Sequence, residues 1–226
     1  MKKHIPNFIT CLNLFSGCVG TCFAFQGETQ WAFHCILLSG AFDFLDGFAA
    51  RMLKTHSPTG KELDSLADAI SFGLLPGAMV FYLLSQATHT PIPFIGFLIP
   101  VFSALRLAKF NIDDRQTTSF IGLPVPANAI FWGGLIHSHS PFLASQPWMT
   151  IGLTVVFSLL LVSALPMFSL KMKNLSWNDN KTQYSFLAVC ALLLLLLRSD
   201  AFAPIITAYI LFSIAIKLFG KKAANN

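Results

Sequence analysis

Four aspartates stand close together in an otherwise apolar part of the chain: Asp43, Asp46, Asp64 and Asp68. A charged side chain at the centre of a bilayer costs roughly 2.5–3.5 kcal/mol on insertion scales, so carboxylates in such surroundings usually have a function. Carboxylate oxygens are the preferred ligands of hard divalent cations, Mg²⁺ or Mn²⁺ rather than zinc or copper. Mg²⁺ also bridges proteins to substrate phosphates. The four aspartates therefore predict a divalent metal site suited to phosphate chemistry.

Helical spacing predicts how these carboxylates meet. With 3.6 residues per turn, Asp43 and Asp46 share a face of one helix, and Asp64 and Asp68 share a face of the next. A turn at residues 57–60 makes the two helices antiparallel neighbours, so the four carboxylates can converge on one cavity. The same faces carry small residues that either pack the helices or leave room for a base and a phosphate: Gly47, Ala50 and Gly60. Arg51, at the edge, is either a membrane-surface anchor or a phosphate ligand.

The composition indicates that lipid is the solvent of this chain. Of its 226 residues, 54% are hydrophobic and only 11% are charged, whereas soluble proteins carry roughly 25% charged residues. The net charge of +5 does not indicate nucleic acid binding, because the lysines and arginines lie between long apolar runs. That distribution is typical of contacts with anionic lipid headgroups. The five cysteines all lie in apolar stretches and are interpreted as free thiols.

Eight apolar stretches approach the roughly 20 residues that a transmembrane helix needs. They cover residues 7–26, 31–54, 61–86, 91–111, 122–139, 149–169, 183–198 and 200–219. With both termini in the cytoplasm, every lysine and arginine except Arg198 falls on the cytoplasmic side, as the positive-inside rule requires. We therefore expect an all-α, polytopic membrane helix bundle of about eight transmembrane helices, with the aspartates near its cytoplasmic face.

The aspartate pattern resembles the signature of the CDP-alcohol phosphotransferases. Asp43-x-x-Asp46-Gly47-x-x-Ala50-Arg51, followed by Gly60, Asp64 and Asp68, matches all of its specified positions. The resemblance implies transfer of a phosphoryl-linked group from a CDP-activated donor to an alcohol, with release of CMP. It also implies a single domain over residues 1–226, with a six-helix core at about 5–170, an additional helical pair at about 183–219, and a homodimeric assembly.

The same resemblance assigns roles to the motif residues. It implies a Mg²⁺ or Mn²⁺ site formed by Asp43, Asp46, Asp64 and Asp68. It implies contacts with the CDP moiety by Asp43, Gly47, Ala50, Arg51, Gly60 and Asp64. Asp68 matches the general base that takes the proton of the acceptor hydroxyl.

Flanking segments at 5–17, 60–73, 105–111 and 122–127 are similar to the membrane-embedded phosphatidylserine synthases of bacteria. This similarity implies CDP-diacylglycerol as donor, L-serine as acceptor and a location in the bacterial inner membrane. Arg106, Lys109 and Asn111 end the fourth stretch. They either anchor it at the cytoplasmic surface or bind the serine carboxylate or the lipid diphosphate.

Alternatives remain in two classes. Within the family, the acceptor could be glycerol-3-phosphate, inositol or choline, because the aspartate motif is shared. Acidic residues in membrane spans also mark ion pathways, which makes a cation transporter the alternative from another class. Transporters usually contain repeated halves with matching broken helices. Here the acids cluster in one helix pair and the sequence shows no second half, so transport is disfavoured.

Overall fold

The computed structural model of the protein describes residues 4–55, 57–88, 90–112, 120–169, 176–177 and 179–223. Nearly all of this part is helical, as expected for a chain whose backbone polar groups must be paired without water. The helices are, in chain order, α1 (His4–Phe25), α2 (Thr29–Met52), α3 (Pro58–Ala87), α4 (Ile92–Ile112), α5 (Val125–Ser145), α6 (Pro147–Val162), α7 (Lys181–Leu197) and α8 (Phe202–Ala223). The predicted all-α, polytopic membrane bundle is confirmed.

Each of the eight predicted stretches overlaps one of these helices, although the helices do not all meet the same criterion for a membrane span. Within the described residues, length and apolar composition qualify five: His4–Phe25, Thr29–Met52, Pro58–Ala87, Ile92–Ile112 and Lys181–Leu218. The last of these contains both α7 and α8, joined by a 3₁₀ turn at Arg198–Ala201. The rings of Phe186 in α7 and Phe212 in α8 lie 5.8 Å apart, so the two helices fold back on each other as a hairpin.

The helix boundaries that differ most from the prediction are the ends of α5 and α6. α5 continues to Ser145 instead of ending at residue 139, with a break in helical geometry at His139 (φ −134°, ψ 23°). Pro141 explains the break, because proline lacks an N–H and its ring crowds the preceding turn. α6 ends at Val162 instead of residue 169, because the chain beyond it turns into a short strand.

That strand, β2 (Pro166–Met167), pairs antiparallel with β1 (Phe120–Ile121). Gly122 follows β1 with φ 78°, and a β-carbon there would collide with the carbonyl of Leu161. Only glycine adopts this conformation at so close an approach without strain. The strand pair therefore ties the start of α5 to the end of α6.

α3 is the central helix of the bundle and it is not regular. Its first turn is capped by Ser57, whose Oγ accepts a hydrogen bond from the backbone N–H of Gly60. A π-helical segment, Ala69–Leu74, interrupts it directly after Asp68. Past this segment α3 packs closely on α4, since a β-carbon on Gly77 would lie 2.8 Å from Pro100 Cδ. The π segment thus separates an aspartate-bearing half of α3 from a tightly packed half.

α1 joins the two helices that carry the aspartates. The backbone carbonyl of Asn13 accepts hydrogen bonds from Ser39 Oγ of α2 at 3.2 Å and from Ser71 Oγ of α3 at 2.9 Å. One turn further along, Gly17 lies directly against Ser71, where an added β-carbon would be 2.7 Å from the Cα atom. The three helices are therefore fixed to one another beside the aspartates.

Candidate active site

Three of the four predicted aspartates meet at one point between α2 and α3. One carboxylate oxygen each from Asp43, Asp64 and Asp68 lies within 4.8 Å of the other two. Asp68 is only 8% exposed, and Asp43 and Asp64 are half-buried. Carboxylates this close repel one another strongly in a site shielded from water, so the cluster requires a cation or protons.

Asp46 is turned towards α1 and does not belong to this group. It is 6% exposed, and its Oδ2 accepts a hydrogen bond from Thr10 Oγ1 at 2.6 Å. The sequence prediction places all four aspartates in one metal site, whereas the structure gives Asp46 its own partner on another helix.

Asp68 is also held from α1. Its Oδ1 accepts a hydrogen bond from Asn13 Nδ2 at 3.3 Å. Asn13 is fully buried, and its own carboxamide oxygen, Oδ1, has no hydrogen-bond partner among the described residues. Next to Asp68 there is therefore an acceptor atom that nothing in the described protein satisfies.

The three-aspartate cluster fits a divalent cation. Oxygens that share one Mg²⁺ ligate it at about 2.1 Å and so lie about 3–4 Å apart, which is compatible with three oxygens that lie within 4.8 Å of one another. Asp64 Oδ1 is buried without a hydrogen-bond partner among the described residues, as expected for an atom whose partner is an ion. The donor set consists of oxygens alone, which suits a hard cation.

A cavity of about 580 Å³ opens beside the cluster, where the ends of α1, α2 and α3 meet. Its lining residues are Pro6, Asn7, Thr10, Asp46, Gly47, Ala50, Arg51, Thr55, Ser57, Pro58, Gly60, Lys61 and Asp64. All the residues predicted to contact CDP line it except Asp43, which lies only in the aspartate cluster. Asp64 belongs to both the cavity and the cluster, so a molecule in the cavity would reach the metal site.

The two predicted glycines differ in their surroundings. A β-carbon on Gly47 would meet no atom within 4 Å, so this position faces open space. On Gly60 the same atom would lie 3.0 Å from both Asn7 Oδ1 and Ser57 Oγ. Gly47 therefore leaves room in the cavity, while Gly60 allows α3 to begin close to α1.

The three predicted acceptor residues lie in different environments, and none lines the cavity. Lys109 is exposed. Asn111 connects α4 to α3: its Nδ2 donates to Ser65 Oγ at 2.9 Å, and its carbonyl accepts from Lys61 Nζ at 2.9 Å. Arg106 is 7% exposed, and its Nε has no partner among the described residues. The Asp68 carboxylate and the Tyr209 hydroxyl are its electrostatic neighbours.

Thr10 and Asn13 contact the aspartates directly, yet the sequence analysis gives them no chemical role. They are buried polar residues three apart, which places them on one face of a largely apolar helix. Polar side chains at helical spacing in a membrane span usually face protein or a cavity. That pattern was the available signal.

A membrane-embedded helix bundle that gathers buried carboxylates beside a cavity lined in part by basic residues defines an intramembrane enzyme of phosphate chemistry. The sequence matches the CDP-alcohol phosphatidyltransferase family over residues 3–219, and the chain belongs to this family. It is therefore a transferase that uses a divalent metal, and the alternative of a cation transporter is set aside.

Individual relatives agree with this assignment. The chain is 33% identical over 200 residues to the CDP-diacylglycerol–serine O-phosphatidyltransferase of Mycobacterium tuberculosis, covering 83% of this chain and 68% of the relative. A protein of the same name from Bacillus subtilis is 34% identical over 145 residues, covering 62% of this chain and 80% of the relative. A third, from Saccharomyces cerevisiae, is 37% identical over 163 residues, covering 62% of this chain and 58% of the relative.

Proposed function

We propose that this protein transfers the phosphatidyl group of CDP-diacylglycerol to the hydroxyl of L-serine, yielding phosphatidylserine and CMP. The proposal rests on one observation, the aspartate cluster beside a cavity that is lined by residues of the family motif. The relatives that match this chain are named for the same activity.

The cavity suits the CDP part of the donor. Gly47 and Ala50 leave space along α2, and Arg51 and Lys61 supply positive charge to the cavity lining. A guanidinium binds phosphate oxygens through two parallel hydrogen bonds. The diphosphate would lie against Asp64, and the acyl chains would extend into the surrounding lipid.

Asp43, Asp64 and Asp68 would hold the divalent cation, Mg²⁺ or Mn²⁺, with Asp46 adjoining the site from the cavity side. When bound, the cation neutralises negative charge on the diphosphate and orients it for in-line displacement. Thr10 keeps Asp46 in place, and Asn13 keeps Asp68 in place.

Asp68 would act as the general base. The serine oxygen forms a bond to the phosphorus of the phosphatidyl group, and its proton passes to a carboxylate oxygen of Asp68. The bond from that phosphorus to the oxygen of the CMP phosphate breaks, and CMP leaves with the electron pair. The low exposure of Asp68 limits competition from water for the phosphatidyl group.

Arg106 is the residue best placed to bind the serine carboxylate. It is buried, has Asp68 as an electrostatic neighbour, and carries an unpartnered Nε donor. Buried donors without partners cost free energy, which a ligand carboxylate would recover. Asn111 is engaged in holding α3 to α4, and exposed Lys109 suits a contact with the lipid surface.

We further propose that the protein is a single-domain homodimer in the bacterial inner membrane, with both termini and the active site facing the cytoplasm. The charge asymmetry of the sequence supports this orientation. Two basic residues of the cavity lining, Arg51 and Lys61, are exposed, which suits a site that soluble serine enters from the cytoplasm.

Membranes containing the protein and CDP-diacylglycerol test the proposal when they are supplied separately with radiolabelled serine, glycerol-3-phosphate, inositol or choline. We expect radiolabel to enter lipid only when serine is the acceptor, with one CMP released per lipid formed. Membranes containing Asp68→Asn should show neither labelled lipid nor CMP release. Incorporation of another acceptor in preference to serine would contradict the proposal.

A further inference from the structure

We propose that Asn13 recognises the amino group of the acceptor, so that the site selects an α-amino alcohol rather than an alcohol in general. This inference rests on the proposed function, because it concerns the molecule whose hydroxyl reacts at Asp68. It assigns a substrate contact to α1, which contributes no aspartate to the site.

The first observation is the state of the Asn13 carboxamide. The side chain is fully buried, and Nδ2 donates to Asp68 Oδ1 at 3.3 Å. This bond fixes the orientation of the amide, because a carboxylate accepts from the NH₂ group and not from the carbonyl oxygen. Oδ1 is thereby directed away from the Asp68 carboxylate and has no partner among the described residues.

Burial of such an oxygen without a partner costs about 1–3 kcal/mol. Folding tolerates this cost when a ligand supplies the missing donor. The backbone carbonyl of Asn13 already accepts from Ser39 and Ser71, and Nδ2 donates one of its two N–H groups to Asp68. Oδ1 is therefore the acceptor of this residue that is left for a ligand.

The chemistry around Asp68 indicates which donor that is. Asp68 would take the hydroxyl proton, and Arg106, a cation with Asp68 as an electrostatic neighbour, would take a carboxylate. A neutral amide oxygen beside a carboxylate cluster suits an ammonium group, which has donors only. Three side chains from α1, α3 and α4 would then bind the three functional groups of an amino acid with a primary hydroxyl.

The test uses Asn13→Leu, a change that keeps side-chain size. The two serine hydrogen bonds that fix α1 go to the backbone carbonyl, so this substitution leaves the helix contacts in place. Kinetic constants are measured for L-serine, with glycerate, which lacks the amino group, and serinol, which lacks the carboxylate, as competitive inhibitors. Ser16→Ala, one turn later on α1, is the matched control, because the Ser16 hydroxyl donates to the backbone carbonyl of Cys35 on α2.

We expect Asn13→Leu to raise the KM for serine and the inhibition constant of serinol about tenfold or more, because hydrogen bonds to charged groups are strong. The inhibition constant of glycerate should change less than about twofold, and Ser16→Ala should leave the KM for serine near that of the wild type. A fall in kcat with an unchanged KM for serine would overturn the inference and leave Asn13 only to position Asp68. Equal weakening of serinol and glycerate would overturn it as well.

The wild-type protein in the same assay distinguishes failure of the proposed function from failure of the inference about Asn13 alone. If it forms no phosphatidylserine, the proposed function fails and this inference fails with it. If it forms phosphatidylserine while Asn13→Leu keeps the wild-type preference for amino alcohols, only the inference fails.

Discussion

Thr10 on α1 and Asp46 on α2 are joined by a 2.6 Å hydrogen bond from Oγ1 to Oδ2. The same hydroxyl lies 3.1 Å from the carbonyl of Pro6. It has one proton to donate, and the carboxylate is the stronger acceptor. The bond holds Asp46 away from the three-aspartate cluster and at the wall of the cavity, so the four motif aspartates divide into three and one.

Removal of this bond should impair catalysis and spare the fold. We expect Thr10→Val, which keeps the shape of the side chain, to lower kcat about tenfold, because a charge-assisted hydrogen bond is worth roughly 1.5–3 kcal/mol. Thr10→Ser, which keeps the hydroxyl, should remain within about threefold of the wild type. Phosphatidylserine formation in purified membranes is the measurement, and wild-type kcat in Thr10→Val would show that the bond has no catalytic part.

The division of the aspartates also predicts unequal metal dependence. Chelation should abolish activity, and Mg²⁺ or Mn²⁺ should restore it. Asp43→Asn removes a ligand of the cluster, so we expect the metal concentration for half-maximal activity to rise about tenfold or more. Asp46→Asn should raise it less, since Asp46 lies outside the cluster. Equal shifts in the two variants would show that all four aspartates ligate the metal.

Gly47 should affect donor binding without affecting stability. Gly47→Leu would project into the cavity, and we expect it to raise the KM for CDP-diacylglycerol about tenfold. Leucine favours helix over glycine by nearly 1 kcal/mol, so thermal stability should not fall.

Gly40 supplies the matched control. It lies on the same helix, it does not line the cavity, and an added β-carbon would meet nothing within 4 Å. Gly40→Leu should keep the KM of the wild type. Similar changes in both variants would point to a general effect on α2 instead of a block in the cavity.

Replacement of Arg106 should make the protein more stable and weaken its binding of serine. Its buried guanidinium has an unpartnered Nε, so Arg106→Met should raise the unfolding temperature of the detergent-solubilised protein by a few degrees, corresponding to roughly 1 kcal/mol. The same variant should lose most serine-dependent activity, and Arg106→Lys should raise the KM for serine. Unchanged KM and turnover in Arg106→Lys would remove Arg106 from the acceptor site.

The elements that repeat with helical periodicity were predictable from sequence. The apolar stretches located the helices, and the spacing of Asp43, Asp64 and Asp68 predicted their convergence because it depends only on the pitch of two neighbouring helices. The separation of Asp46 was not predictable, since it depends on where Thr10 lies after α1 has packed on α2. Sequence spacing within a helix pair carries no information about a third helix.

The predicted ends of α5 and α6 were wrong for a related reason. The chain stays apolar through the strand Pro166–Met167, so hydropathy predicts a sixth helix that extends too far. The pairing with Phe120–Ile121 is a long-range contact between two very short segments, and neither has the alternating pattern of a strand. The break at His139, by contrast, has a local cause in Pro141, and there the helix was ended too early.

The π-helical segment at Ala69–Leu74 affects both the helical-wheel projection of α3 and the outcome of single-residue deletions in this helix. A π turn accommodates an additional residue, and one residue corresponds to a rotation of about 100° around the axis of an α-helix. A helical wheel projected through the whole of α3 therefore assigns one half of the span to the wrong sector, confusing residues that face lipid with residues that face α4. Deletion of a single residue within the segment should let α3 continue as a regular α-helix with Asp68 still facing Asp43, whereas deletion of one residue between the segment and Gly77 would keep the π turn and rotate Asp68 by about 100° relative to the half that packs on α4.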